Sequence, residues 1–380
     1  VKGAFVRVLV TGGAGFIGSH TVDALLEKGY EVTILDSLEK PVHLKGKPDY
    51  IPKQVRFIEG DVRRREDFMK ALEGVQIVYH FAAYQDYLPD FSKFFHVNSV
   101  GTALLYELIV EHKLDVKKVI VASSQAVAGE GLYRNDDGRE TLPSIRSLEQ
   151  LQEAQWDILE PETQQRLRWQ PTPETVVNPQ NQYAMSKYSQ EMIALNLGRR
   201  YSIPSVALRY SIVQGPRQSF YNNYSGACRI FSLSYFFDRA PLIYEDGEQV
   251  RDYVNIRDVV RANLLVLEDS RADGQVINVG GGEAYSVKEF CSIVARVFDK
   301  EQIRPRIPGL FRFGDTRHSF SDISKLRALG WEPQFTPQDS VRAYREYLEQ
   351  QTDIDDIVEY AEQSMKSLNV VRAASGREEA

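Results

Sequence analysis

Cysteine is nearly missing from this chain. Its 380 residues include only Cys228 and Cys291, far apart and in no C-x-x-C spacing. That excludes a disulfide framework and points to two reduced core residues in a reducing compartment. No apolar run approaches the roughly 18 residues that span a bilayer, and no charged-then-apolar leader opens the sequence. A basic excess is also missing. The 46 Lys and Arg stand against 53 Asp and Glu, for a net charge of −7, which argues against a general nucleic-acid binder. An anionic ligand would then need a local cluster of arginines. Internal repeats and low-complexity tracts are not found either. These absences leave a cytoplasmic globular protein with no membrane and no nucleic-acid partner, long enough for one large or two modest domains.

What is present begins with Val8-Leu9-Val10-Thr11-Gly12-Gly13-Ala14-Gly15-Phe16-Ile17-Gly18, an apolar run entering glycines spaced G-x-x-G-x-x-G. Strand, glycine turn and helix in that order can cradle a dinucleotide pyrophosphate. The glycines let backbone approach the phosphates, and the helix N-terminus offers unpaired N–H groups. Residues 5–10 read as a buried parallel strand and Ser19 to Lys28 as a helix stopped by Gly29. The next strand, 31–36, ends in Asp36, about 20 residues past the glycines, where an acid accepts hydrogen bonds from the adenosine ribose. No arginine follows to pair a 2′-phosphate, which favours NAD over NADP. Strands at 55–62, 77–83 and 118–124 alternate with helices, the clearest being Gly101 to His112. The pattern predicts an α/β fold, a Rossmann-type doubly wound parallel sheet with ligands at the carboxyl ends of its strands.

Residues 130–180 break this rhythm. Ser144 to Trp169 is rich in Gln, Glu and Leu and predicts a polar, partly helical insertion to which no chemistry is assigned. The sheet resumes at 205–210 and ends with a late strand at 275–282. The remaining aromatic and arginine-rich segments predict a smaller, discontinuous α/β substrate-binding lobe. The expected division is a cofactor-binding domain of residues 1–210 and 255–282, a substrate lobe of 211–254 and 283–349, and a C-terminal helix with a flexible tail over 350–380.

Tyr183-Ala184-Met185-Ser186-Lys187 carries the second chemical signal. A tyrosine and a lysine at i and i+4 share one helix face. A phenol is a poor base at neutral pH because its free pKa is near 10. A neighbouring ammonium, together with a positive nicotinamide ring, favours the phenolate. Tyr183 would then act as general acid/base on an alcohol–ketone pair, with Ser124 holding the same oxygen.

These motifs resemble the extended short-chain dehydrogenases/reductases of the NAD-dependent nucleotide-sugar epimerase/dehydratase family, over roughly residues 5 to 345. Thr11 to Gly18 matches the family's glycine loop, Asp61-Val62 its adenine-contacting pair, and His80 to Ala83 the turn after its fourth strand. Asn98 matches a structural and cofactor-side asparagine, and Ser124, Tyr183 and Lys187 match the catalytic triad. Arg251, within Gly247-Glu248-Gln249-Val250-Arg251-Asp252-Tyr253, matches a diphosphate-binding arginine, and Arg312 before Gly314-Asp315 is similar to a second. The run Gly215-Pro216-Arg217-Gln218, with the Glu245-Asp246-Gly247 segment, most resembles bacterial sugar 4-epimerases of the dTDP-rhamnose and UDP-glucose type.

For the cofactor, the resemblance implies NAD held by Gly12, Gly15, Phe16, Ile17, Gly18, Asp36, Ser37, Asp61, Val62, Phe81, Ala82, Ala83, Asn98, Ser123, Tyr183, Lys187, Tyr210 and Val213. A nucleotide-diphosphate sugar would meet Gln85, Ser124, Gln125, Arg217, Arg251 and Arg312. It also implies a homodimer packed through the helices near Gly101 and around Tyr183. Relatives' insertions often carry a cysteine-rich zinc segment; residues 130–180 contain no cysteine, so no metal is expected.

This chain departs from the family pattern at Ile212 and Gln214, where asparagine and tyrosine are usual, and at Ala128, which would leave extra room near the reactive end. Gln125 and Ala126 follow Ser124 where dehydratases carry Asp-Glu, which disfavours dehydration. The preferred reading is C4 epimerisation through a transient 4-keto sugar. A net oxidoreductase on another alcohol or ketone, and a non-catalytic NAD-binding protein, stand as alternatives.

Overall fold

The N-terminal apolar run becomes the strand Arg7–Thr11 (β1), every residue of which after Arg7 is buried. In the computed structural model, which describes residues 6–220, 226–351, 354 and 370–375, the glycine turn feeds helix Phe16–Glu27 (α1). This helix starts earlier than the expected Ser19, because extended Gly15 serves as its N-cap and Phe16 already carries helical backbone. There follow Glu31–Asp36 (β2), Arg56–Glu59 (β3), Arg65–Leu72 (α2) and Ile77–His80 (β4). Helix Phe91–Phe95 (α3) runs through one π-helical turn, His96–Val100, into Gly101–Glu111 (α4), and Lys118–Ser124 (β5) comes next.

The insertion differs from its expected helical character. It supplies Leu132–Arg134 (β6), Glu140–Thr141 (β7) and Arg168–Gln170 (β8), a small antiparallel sheet, with one short helix, Leu148–Gln152 (α5). Its Gln and Glu residues lie largely in irregular chain between these pieces, where the prolines that flank them prevent longer helices. Then come Gln182–Arg200 (α6), Ser205–Tyr210 (β9), Ile212–Gln214 (β10), Ala227–Phe236 (α7), Val250–Asn255 (β11), Ile256–Glu268 (α8) and Val276–Val279 (β12). The chain continues with Ala284–Ser286 (β13), Val287–Val297 (α9), Leu310–Arg312 (β14), Ser324–Ala328 (α10) and Pro337–Glu349 (α11).

Seven strands form one parallel sheet in the order β12-β9-β5-β4-β1-β2-β3. Strand order reverses between β1 and β4, so a crevice opens at their carboxyl ends. Alternate residues of β1 feed opposite faces: Val8 and Val10 pack with Val22 and Leu25 of α1 and Val259 of α8. Leu9 packs on the other face with Phe68, Leu105 and Ala194 from α2, α4 and α6. Both faces are thereby covered, as an all-parallel sheet requires. A separate core joins α7, α9 and α11 through Phe231, Phe290, Val294 and Tyr344, beside the three-stranded sheet β10-β11-β13.

The tail departs from expectation at one place. Residues Val371–Ala373 (β15) return to pair antiparallel with β14, and Ala374 is buried against Leu151, Trp156 and Phe311. The helix expected beyond Gln350 and the extreme end fall, apart from these residues, outside the described part of the chain. Among the described residues no helix is long and apolar enough to cross a membrane.

One buried ion pair ties the central strands to α6. Arg209 of β9 donates to both carboxylate oxygens of Glu191, at 2.7 and 2.8 Å, and each residue is 2% exposed. Arg209→Met strands that carboxylate and is expected to cost about 3–5 kcal/mol in urea unfolding. Adding Glu191→Leu should recover most of the loss; a double variant as unstable as the single one would contradict a paired charge.

Candidate active site

A cavity of about 1050 Å³ lies across the carboxyl ends of β1, β4, β5 and β9. Its floor is the glycine turn: Gly12, Gly15, Phe16, Ile17 and Gly18 all line it. Gly12 sits at φ +69°, and a Cβ there would stand 2.7 Å from the amide nitrogen of Ala82. A Cβ on Gly18 would be 2.2 Å from the carbonyl oxygen of Gly12. Only glycine allows turn, helix and β4 end to close this tightly. No side chain caps α1 at Gly15, so its first-turn N–H groups remain for an anion. A dinucleotide pyrophosphate fits this cradle. Asp36 accepts from the N–H groups of Ala14 (3.0 Å) and Leu38 (2.9 Å), bracing the turn.

Asn181 caps α6 by accepting from the Ala184 N–H at 2.8 Å, which fixes where Tyr183 and Lys187 emerge. Both line the cavity with Ser123 and Ser124. The Lys187 ammonium stands 5.9 Å from the Tyr183 ring centroid and donates to the carbonyl of Ala122 (2.7 Å) and to Oε1 of Gln190 (2.9 Å). Burial pulls its pKa down to about 7, opposed by the charge of Glu191. Behind it runs a closed polar network. Thr11 Oγ1 accepts from the N–H groups of Phe81 and Ala82, so its own proton goes to Nδ1 of His80. Nε2 of His80 then donates to Thr102 Oγ1, which also accepts from Gln190 and gives its proton to the Asn98 carbonyl. Burial, with Lys187 nearby, holds His80 down to about 3 and therefore neutral.

Two arginines, Arg251 and Arg312, also stand on the cavity wall. Arg251 donates to the carbonyls of Thr316 (2.8 Å) and Arg317 (3.0 Å). Arg312 pairs with Asp315 (2.7 Å), donates to the Tyr87 hydroxyl (2.5 Å), and lies over the rings of Tyr87 and Tyr244.

Of the residues singled out in the sequence, Phe81, Ala83, Gln85, Gln125, Tyr210 and Val213 also line the cavity. Arg217 does too, but it is bound to Asp23 of α1 at 2.7 Å and lies over Tyr50, whose hydroxyl donates to the Ala14 carbonyl. That places it on the glycine-turn side, with the cofactor cradle rather than with Arg251 and Arg312.

Asp36, Ser37, Asp61, Val62, Ala82 and Asn98 do not line the cavity wall. Ser37 is exposed, and Asp61 is bound by Arg63 at 2.9 Å. Val62 packs under Gly101, and Ala82 contributes its backbone to the Gly12 approach. Asn98 is fully buried; it exchanges hydrogen bonds with the Tyr84 backbone and donates to Ser186, so it positions α6 from the π-turn. Ala128 does not widen the reactive end. It borders a separate pocket of about 10 Å³, room for about one water. Ile212 lines the cavity, whereas Gln214 is fully buried away from it. Tyr50, Tyr87, Thr102 and Gln190 were not anticipated from the sequence. Thr11 and His80, polar residues inside apolar strand runs, were the signal for the buried network.

Fold and site together define a Rossmann-type, dinucleotide-dependent enzyme of the short-chain dehydrogenase/reductase kind. Residues 8–149 and 160–280 match the NAD dependent epimerase/dehydratase family, and the chain belongs to it. It is 31% identical over 356 residues to the dTDP-L-rhamnose 4-epimerase of Burkholderia thailandensis, covering 91% of this chain and 96% of that protein. A UDP-glucose 4-epimerase from Thermotoga maritima, solved with UDP-glucose, superposes with a TM-score of 0.75 at 30% identity, covering 90% of this chain and 99% of that one. The UDP-glucose 4-epimerase of Thermus thermophilus, solved with NAD, gives 0.70 at 28% identity, covering 91% and 99%. The cofactor is NAD, as the family's dependence and the fit of the cradle agree.

The depressed Lys187 pKa has a stability consequence. Between about 7 and its ordinary 10.5, the unfolded chain binds a proton that the folded one does not, so this group adds stability as pH rises through that window. Lys187→Met removes the term. The stability of wild type relative to Lys187→Met should therefore increase between about pH 7 and about pH 10 in paired urea melts. A flat or falling difference would contradict the buried, desolvated ammonium.

Proposed function

We propose that this chain inverts C4 of a nucleotide-activated sugar, with NAD as a retained cofactor. One observation carries the reading: a single cavity runs from the glycine turn, past Ser124, Tyr183 and Lys187, to Arg251 and Arg312. At about 1050 Å³ it slightly exceeds the range for a single-ligand site, about 300–1,000 Å³. A dinucleotide at the cradle and a nucleotide sugar beyond it would share that space. The relatives named for dTDP-L-rhamnose and UDP-glucose support a substrate of this class.

NAD, when bound, supplies hydride acceptance and return at the carbinol carbon. Tyr183 takes the C4 hydroxyl proton and returns it. Lys187 favours its phenolate, and Ser124 fixes the same oxygen. Arg251 and Arg312 hold the diphosphate by charge-assisted hydrogen bonds, so the hexose can turn while its anchor stays. Gln125 and Ala126 on the wall after Ser124 provide no acid/base pair, which leaves the 4-keto sugar without a route to dehydration. In this reading NAD belongs to residues 1–210 and 255–282, with Val213 and Arg217 of the second lobe beside it, and the sugar nucleotide to the rest of the lobe of 211–254 and 283–349.

The protein acts as a homodimer in this proposal. Phe91, Phe95 and Val100 are exposed along α3 and its π-turn, and Met185 and Met192, at i and i+7, are exposed on α6. An apolar stripe on these packed helices fits a second copy.

Tyr183→Phe is expected to lower kcat about 10²–10⁴-fold while the purified protein still carries NAD. Undiminished turnover would remove Tyr183 from the chemistry. Met192→Glu is expected to shift the protein from dimer to monomer in light scattering; a monomeric wild type would refute the interface.

A further inference from the structure

The insertion touches the cavity almost nowhere, yet it carries a buried, heavily bonded arginine. Arg146, 4% exposed, forks onto Glu245 with bonds of 2.9 and 2.8 Å and donates to the carbonyls of Trp156 and Asp315, each at 2.8 Å. Glu130, which opens the insertion, accepts from the backbone N–H of Arg317 at 2.8 Å. The Arg317 guanidinium in turn reaches Glu245, Asp246 and Asp157. Glu245 is at φ +55°, unfavourable for a side chain bearing a Cβ, and two guanidiniums hold it there.

These bonds converge on residues 312–317 from behind. The same segment faces the cavity from its other side, where Arg312 projects and the carbonyls of Thr316 and Arg317 hold Arg251. Below it the Trp156 ring packs on Phe311 at 6.1 Å, and β15 pairs with β14 up to Arg312. Neither cavity arginine can keep its place if the 312–317 segment shifts.

We infer that Arg146 is a positioning residue for nucleoside diphosphate binding: the insertion is a back wall that sets the spacing of Arg251 and Arg312. This rests on the reading of those two arginines as the diphosphate contacts. Burial pushes the Glu130 carboxyl up to about 7, so the wall is held mainly through the Arg146–Glu245–Arg317 core.

The test measures binding of UDP and dTDP to the NAD-loaded protein by calorimetry, alongside KM and kcat. Arg146→Lys keeps the charge and loses the planar fork. Arg146→Met with Glu245→Gln removes this ion pair as a unit, guarding against a Glu245 carboxylate stranded without Arg146. Both variants should weaken nucleotide binding and raise KM about tenfold or more, with kcat and NAD occupancy within about twofold of wild type, and Arg146→Lys should be the milder. Wild-type nucleotide affinity in a folded double variant would overturn the inference, as would loss of kcat at unchanged KM. If wild type itself binds neither UDP nor dTDP, the diphosphate reading falls and takes this role of Arg146 with it.

Discussion

The structure depends first on the burial of one ammonium. Lys187 sits at the carboxyl ends of the sheet with almost no access to water; burial pulls its pKa down to about 7, and the hydrogen bonds to Ala122 and Gln190 limit the cost of carrying its charge there. Gln190 accepts from it, Thr102 accepts from Gln190, neutral His80 donates to Thr102, and Thr11 at the end of β1 donates to His80. The chain of bonds starts two residues from the Gly13 turn and ends beside Tyr183. It fixes the register of β1, β4, α4 and α6 as one unit, so the glycine turn and the helix face of Tyr183 and Lys187 cannot move independently.

The remaining charges repeat that logic at larger scale. Arg209 and Glu191 bind β9 to α6, and Arg209 also donates to the carbonyls of Glu174 and Val176, where the insertion returns to the sheet. Arg146 and Arg317 share Glu245 and bind the insertion to the cavity wall at residues 312–317. Such buried pairs contribute little net stability compared with apolar packing. What they impose is a single arrangement, which holds α6 and the insertion against the cavity wall.

Much of this was legible in the residues, and the reason is local. β2, β5 and β9 fall where their apolar runs place them, because a parallel strand buried on both faces has few alternatives. Gly12 and Gly18 announce the turn because a Cβ at either would strike backbone. The i, i+4 spacing of Tyr183 and Lys187 is enough to bring both into one cavity. Long-range pairings were not legible. Arg217 joins Asp23, and Tyr87 meets Arg312, across separations that no periodicity encodes. Asn98 reads as a structural and cofactor-side asparagine, but its partners, the Tyr84 backbone and Ser186, lie too far along the chain for any periodicity to name. The insertion hid its role for the same reason: Arg146 gains meaning only from Glu245 and Asp315.

The most direct measurement is proton NMR of the purified protein mixed with UDP- and dTDP-hexoses and no added cofactor, followed together with NADH absorbance. Interconversion of a C4 epimer pair, with no net gain or loss of NADH, is the expected result, and it would identify the sugar. Turnover that appears only once NAD is supplied and then forms NADH stoichiometrically, or no turnover of any nucleotide sugar by protein that carries NAD, would contradict a retained-cofactor epimerase.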